Sequence, residues 1–205
     1  MSEKKAVEVK RIRAWHFCSD GKLRDGKKVV VGKTYTVKGP LVMCEHGLHW
    51  SRRIIDALQY APGSTICLVE AWGDTQEQSD KGVSTHRKVL AKVNGEKLLR
   101  LFAADCAEEA LTLCKVTDKR SWQAVEVARK YANGKATKEE LATARAAARA
   151  ASRAAAGAAS RAASWDAAGD AAWAAARDAA GDAAWEKQNT ILSAIVLKAM
   201  KRKSM

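Results

Sequence analysis

Hydrophobic positions follow two rhythms along this chain, and the change falls near residue 101. In the first half, short β-branched or apolar runs occupy Lys27–Val31, Thr34–Val37 and Thr65–Ala71. Gly32, Gly39-Pro40, Pro62-Gly63 and Gly73-Asp74 separate them, and runs bounded in this way predict short strands. Val89–Val93 and Lys97–Phe102 flank Asn94-Gly95, a pair that accepts positive φ readily and so predicts a β-hairpin. One helix is expected among the strands, from Arg52 to Tyr60, with Ser51 as N-cap and Pro62 beyond its end. Strands with one central helix predict a small α+β domain over residues 1–101.

After residue 101 the apolar period lengthens to that of a helix. Asp105–Leu113 and Trp122–Tyr131 are amphipathic, and Asn133-Gly134 closes the second. Thr137-Lys-Glu-Glu140 has the spacing of a capping box and opens another helix. From Ala142 to Trp185, 25 of 44 residues are alanine, the strongest helix former. The unit DAAGDAAW occurs at Asp166–Trp173 and again at Asp178–Trp185, and Gly157, Gly169 and Gly181 recur every 12 residues. A four-residue repeat advances about 400° on a helix, so its stripe drifts by roughly 40° per step. Trp165, Trp173 and Trp185 therefore cannot share one straight face. A single helix from Thr137 to Met200 would span about 95 Å, so two or three helices packed through Ala and Gly are expected over that stretch, within a helical domain at 102–205. The last carries Ile191, Leu192, Ile195, Val196, Ala199 and Met200 on one face, before a solvated basic tail, KRKSM.

Charge adds a partner class. The 205 residues hold 36 Lys+Arg and 23 Asp+Glu, a formal +13. Residues 1–101 carry net +8 and the rest net +5, so neither half alone is a basic arm. Basic pairs such as Arg52-Arg53 and Arg87-Lys88 read as solvated clusters. Arg52, Arg53 and the row Arg145, Arg149, Arg153 and Arg161 are the candidate contacts to an acidic surface, with Trp165, Trp173 and Trp185 as anchors. No Walker, helix-turn-helix or RNA-recognition signature is present. No apolar stretch is long enough for a transmembrane helix, and MSEKKAVEVKRIR lacks the apolar segment of a secretory signal. Five cysteines without tight spacing predict a reducing, cytoplasmic setting, with Cys67, Cys106 and Cys114 as core thiols. Cys44, His46 and His49, with His16 and Cys18, do not match a zinc-finger spacing, and no metal is expected. His16 and Cys18 share a strand face, but no carboxylate is evident to orient them for thiol catalysis.

Two stretches carry three resemblances. AWHFCSDGKLRDGKKVVVGKTY, CEHGLHWS, DALQYAPG and VEAWG resemble an uncharacterised domain family common in phages and prophages. That likeness covers the first hundred residues and implies a mobile-element origin without an activity. LFAADCAEEAL and WQAVEVARKYANGKATKEELATARAAARAA resemble Ala-rich helical immunity proteins of bacterial toxin systems. AWHFC, GLHWS, DALQYA and ICLVEAWG also follow one another like the core motifs of ADP-ribosyltransferases. By that resemblance His16 would hydrogen-bond the ribose of NAD. His49 would stack on nicotinamide, where the RNA 2′-phosphotransferase branch is similar in using a second histidine. The third residue, a Glu in the transferase branch, has no counterpart, because Glu96 sits beside a turn.

The expected function is therefore a phage- or prophage-type inhibitor of the anti-defence or immunity kind, with no cofactor. It would occlude an acidic surface of a host or rival protein complex, with nucleic acid as the other candidate partner. No membrane contact is expected, and self-association through the Ala-rich helices is. The alternative is an ADP-ribosyltransferase-like, NAD-using enzyme, or a nucleotide-binding sponge, with His16 and His49 in one pocket.

Overall fold

A computed structural model of the chain describes residues 10–23, 26–162 and 170–204, and the side chains of these outside 151–180 and 203–204. Two compact units result: residues 1–95 together with 189–205, and Glu96–Gln188.

The first unit is α+β, as the sequence predicts. Its strands are β1 (Ile12–Cys18), β2 (Thr34–Thr36), β3 (Leu48–Trp50), β4 (Thr65–Glu77) and β5 (Gly82–Asn94), with α1 (Ile54–Gln59) between β3 and β4. All pairings are antiparallel, in the order β1-β4-β5-β2. β5 is 13 residues long and serves two short strands. Leu48–Trp50 pair with its first residues, Gly82–Ser84, and Thr34–Thr36 with His86–Lys88. Alternation along each strand builds the core: Ile12, Ala14 and Cys18 of β1 meet Cys67, Val69 and Ala71 of β4, with Val89 and Trp50.

Four expectations change. Lys27–Val31 is no strand: it makes one isolated bridge, Lys22 with Lys28, because Gly26 and Gly32, both at positive φ, turn the chain at either side of it. The hairpin does not form at Asn94-Gly95. β4 and β5 are joined at 78–81 instead, where Gln78 N–H donates to the Lys81 carbonyl. Gly95 N–H donates to Ser64 and the chain turns straight into a helix at Glu96, since Leu, Arg and Ala in Lys97–Ala104 are better helix than strand formers. Ser51 is not an N-cap: its backbone pairs with Trp15 in both directions, so the helix starts two residues later, behind Arg53. Cys114 is exposed at the end of a helix rather than a core thiol, and Cys106 is half-buried; Cys67 is buried as expected.

The second unit holds α2 (Glu96–Leu113), α3 (Lys119–Ala132), α4 (Lys138–Ala162) and the first half of α5 (Asp170–Ser204). Phe102, Ala104, Val125 and Leu141 are its buried apolar side chains among the described residues. Arg129 of α3 ties to α2 through Asp105 at 2.6 Å and Glu108 at 2.5 Å. Asp118 caps α3 by accepting from Arg120 N–H, and the Arg120 guanidinium beside it holds its carboxyl down to about 2. Asn133 and Gly134, the latter at φ +69°, end α3 as the sequence predicts.

The capping box before α4 is closed in both directions. Thr137 Oγ1 accepts from Glu140 N–H at 3.1 Å, and the Glu140 carboxylate accepts from Thr137 N–H at 2.7 Å. Thr137→Ala is expected to destabilise this unit by about 1 kcal/mol, and Thr137→Ser by less. Denaturant unfolding monitored by helical circular dichroism reads the difference; equal midpoints for all three proteins would reject it.

Candidate functional site

A cavity of about 460 Å³ opens in the first unit, within the size range of small-molecule sites. Three segments and five further residues form it. β1 contributes Trp15 to Cys18, and β3 with its flanks contributes Gly47 to Ser51. Ala57, Tyr60 and Pro62 come from α1 and the turn after it, and Lys22, Leu23, Cys44, Lys81 and Arg87 complete the lining.

Each polar group is held by its strand. His16 lies opposite Cys67 in the β1–β4 ladder. His49 comes after Gly47, whose φ of +130° swings the chain into β3. Its Nε2 accepts from Cys44 N–H at 2.9 Å, which leaves the ring proton on Nδ1. Arg87 is 3% exposed and stands in β5 between Ala71 of β4 and Tyr35 of β2. Its Nη1 donates to the His49 carbonyl. Burial pulls its guanidinium down to about 10, so it stays charged at neutral pH. Cys18 and Cys67 sulfurs sit 3.9 Å apart. The hydrogen bond to Cys67, helped by Arg87 and Lys92, lowers the Cys18 thiol, while the same bond and burial raise Cys67.

Residues 12–101 match the family model of a domain of unknown function, DUF7666. The chain is similar to no curated protein and to no solved structure. With nearly half its length matched, the first unit is where the family likeness lies. The DUF7666 stretch starts at the first residue of β1, runs into α2, and contains the whole cavity lining.

Within that stretch the two histidines expected from the sequence, His16 and His49, reach the same cavity. Arg52 and Arg53 are committed elsewhere: Arg52 pairs with Glu77 at the end of β4, and Arg53 grips buried Asp56 with two bonds of 2.7 and 2.9 Å. Arg145 and Arg149 are both exposed on α4, and Trp185 is half-buried on α5. Arg153, Arg161 and Trp173 lie on these helices, but their side chains fall outside the described set, and Trp165 lies outside the described residues altogether. Cys44, His46 and His49 are not gathered as ligands: His49 takes the Cys44 amide, and His46 Nε2 bonds the Lys38 carbonyl. No cluster of three metal-ligating side chains occurs among the described residues. No described helix is long and apolar enough to cross a membrane.

Trp50, Tyr60, Lys81 and Arg87 line the cavity without having been expected from the sequence as site residues. A signal exists for Arg87. On the pleat of β5 it shares a face with Val83, Thr85 and Val89, whereas its neighbour Lys88 points the other way.

Proposed function

We propose that the DUF7666 domain binds an NAD-type nucleotide in this cavity, in the manner of an ADP-ribosyltransferase-like fold. The observation that carries the reading is that His16 and His49, on β1 and β3, line one cavity. In this reading His16 bonds a ribose hydroxyl. The His49 imidazole, held by the Cys44 amide, offers its face to the nicotinamide ring. Trp15, Trp50 and Tyr60 supply aromatic surface to a base. The described lining contains no Asp or Glu. A transferase needs a carboxylate to steady the cationic sugar as the glycosidic bond breaks, so the reading is binding without turnover.

Isothermal calorimetry with NAD, ADP-ribose and a cyclic nucleotide tests it. Binding is expected for at least one dinucleotide, weakened tenfold or more in His16→Ala and in His49→Ala, with NAD recovered intact. A folded protein that binds none of the three sinks the reading. Consumption of NAD that disappears in His16→Ala would convert it to a transferase.

A second reading is favoured by Arg145 and Arg149, four residues apart on α4, in a chain of net +13. In it the helical unit of a phage- or prophage-type immunity or anti-defence protein docks on an acidic host or rival surface. Pull-down from host lysate with the Arg145→Ala/Arg149→Ala variant as control tests it. Loss of capture after nuclease treatment would name nucleic acid as the partner, and equal capture by wild type and variant would remove this reading.

A further inference from the structure

Arg87 stands apart from the ion-paired arginines among the described residues. Those paired with carboxylates, namely Arg11, Arg52, Arg53, Arg100, Arg120 and Arg129, have side chains 33% to 51% exposed. The most buried one, Arg87, has no carboxylate partner among the described residues. A charge taken out of water is normally compensated by an ion pair or a full set of hydrogen bonds. Arg87 donates Nη1 to the His49 carbonyl, yet its Nε has no acceptor. The only other buried side-chain N or O atom without a partner, among the described residues, is Trp50 Nε1. Both orphaned donors belong to residues that line the cavity.

Lys22 and Lys81 line it as well, and no Asp or Glu does so among the described residues. The residues that line the cavity thus include cations and two side chains with an unfilled, buried N–H donor, and no Asp or Glu among the described lining opposes an anion. The acidic groups that act on the charge of Arg87 are the Cys67 and Cys18 thiols and the Tyr35 phenol. The two thiols lie 3.9 Å apart and hydrogen-bond to each other. A planar guanidinium with a free N–H suits an oxyanion that can take two hydrogen bonds, and phosphate oxygens fit that geometry.

We infer that Arg87 and Trp50 form a phosphate-binding subsite in the cavity, which takes the phosphate or pyrophosphate group of its ligand. This names the part of a nucleotide that Arg87 would hold, and so deepens the reading above. It stands on the orphaned donors and not on the two histidines, and the two can fail separately.

The test uses the full chain and four probes: inorganic phosphate, pyrophosphate, ADP-ribose and, as the phosphate-free control, adenosine. Thermal shift and calorimetry are run on wild type, Arg87→Met, Arg87→Lys and Trp50→Phe. Wild type is expected to bind pyrophosphate and ADP-ribose. Arg87→Met should lose tenfold or more for both while keeping the affinity for adenosine. It should also melt no lower than wild type without ligand, since it removes a buried charge. Trp50→Phe keeps an aromatic ring and loses the donor, and should lose a few-fold. Where Arg87→Met does not fold, Arg87→Lys is read in its place: it keeps the charge without the planar N–H donors and should lose several-fold. The subsite is overturned if wild type binds no phosphate compound, or if ADP-ribose binds wild type and the Arg87 variant equally. Adenosine bound with no gain from phosphate would leave a nucleoside pocket and remove the subsite. Pyrophosphate bound through Arg87 without nucleotide affinity would keep the subsite and remove the nucleotide reading. Inorganic phosphate bound through Arg87 as tightly as ADP-ribose would keep the subsite and assign it to the free ion.

Discussion

Replacing Val196 by aspartate is expected to unfold the first unit, although the substitution lies far beyond its last strand in the chain. Leu192, Val196 and Met200 recur at four-residue spacing on α5 and are 0%, 0% and 5% exposed. Residues 189–205 form one compact unit with 1–95. The link begins at Asn189, whose Oδ1 lies 3.5 Å from Ile55 N–H in the first turn of α1. α1 has no side-chain cap of its own, because Arg53 at that position makes no cap bond. Asn189 supplies an acceptor there, and Ile54 and Ile55 beside it are buried. Truncating Leu192 to alanine should cost about 2–5 kcal/mol. An aspartate at Val196 loses the apolar burial of that side chain and also places an unpaired carboxylate there, which together cost several kcal/mol. Against a total stability of about 5–15 kcal/mol, that sum removes most of the margin. Thermal melting recorded by near-ultraviolet circular dichroism, with limited proteolysis to locate the opened segment, reads the effect. An aspartate variant that melts with wild type would show that the first unit stands without its C-terminal segment.

That segment also marks where the sequence stops being informative. The apolar face of Leu192, Val196 and Met200 is legible from spacing, and so is a helix carrying it. Which surface the face covers is a long-range fact, and no local pattern encodes it. The site divides in the same way. His16 and His49 are legible because motifs around them resemble a known order of strands. Arg87 looks like half of a basic pair with Lys88 when charge is counted along the chain and the pleat is ignored. Asn94-Gly95 fails as a hairpin for a related reason. Turn chemistry states only that the chain can turn, and the helix-forming residues after Gly95 decide which element comes next. The turn that does join β4 to β5 contains Ser79 and Asp80, a weaker signal than Asn-Gly.

Gly47→Ala should be among the most damaging single-methyl changes in the cavity wall, and two independent costs make it so. The backbone there has φ +130°, a region that L side chains rarely enter, at a strain of about 1–3 kcal/mol. The added Cβ would also stand 2.2 Å from Val83 Cγ2 and 2.9 Å from Leu41 Cδ2. Val83 is fully buried in β5 and cannot swing aside, so overpacking adds about 1–3 kcal/mol. Gly32 provides the control: its φ is +84°, but a Cβ there meets nothing within 4 Å. Gly32→Ala should therefore show the strain alone, about 1 kcal/mol, with ligand affinity unchanged. Gly47→Ala should cost about 2–6 kcal/mol, which at about 4–8 °C per kcal/mol lowers the melting temperature by roughly 10 °C or more. Val83→Ala in the same chain should recover the steric part and leave the strain, a non-additive pair. The two costs meet at the site, because Gly47 precedes Leu48 and His49 directly in the chain, and Val83 is the register partner of His49. A displaced β3 carries the His49 ring and the carbonyl that Arg87 bonds, so ligand affinity should fall with stability in Gly47→Ala and return in the double variant. Equal melting of the Gly32 and Gly47 variants would refute the steric half of the argument. Full affinity in Gly47→Ala would detach the cavity from β3.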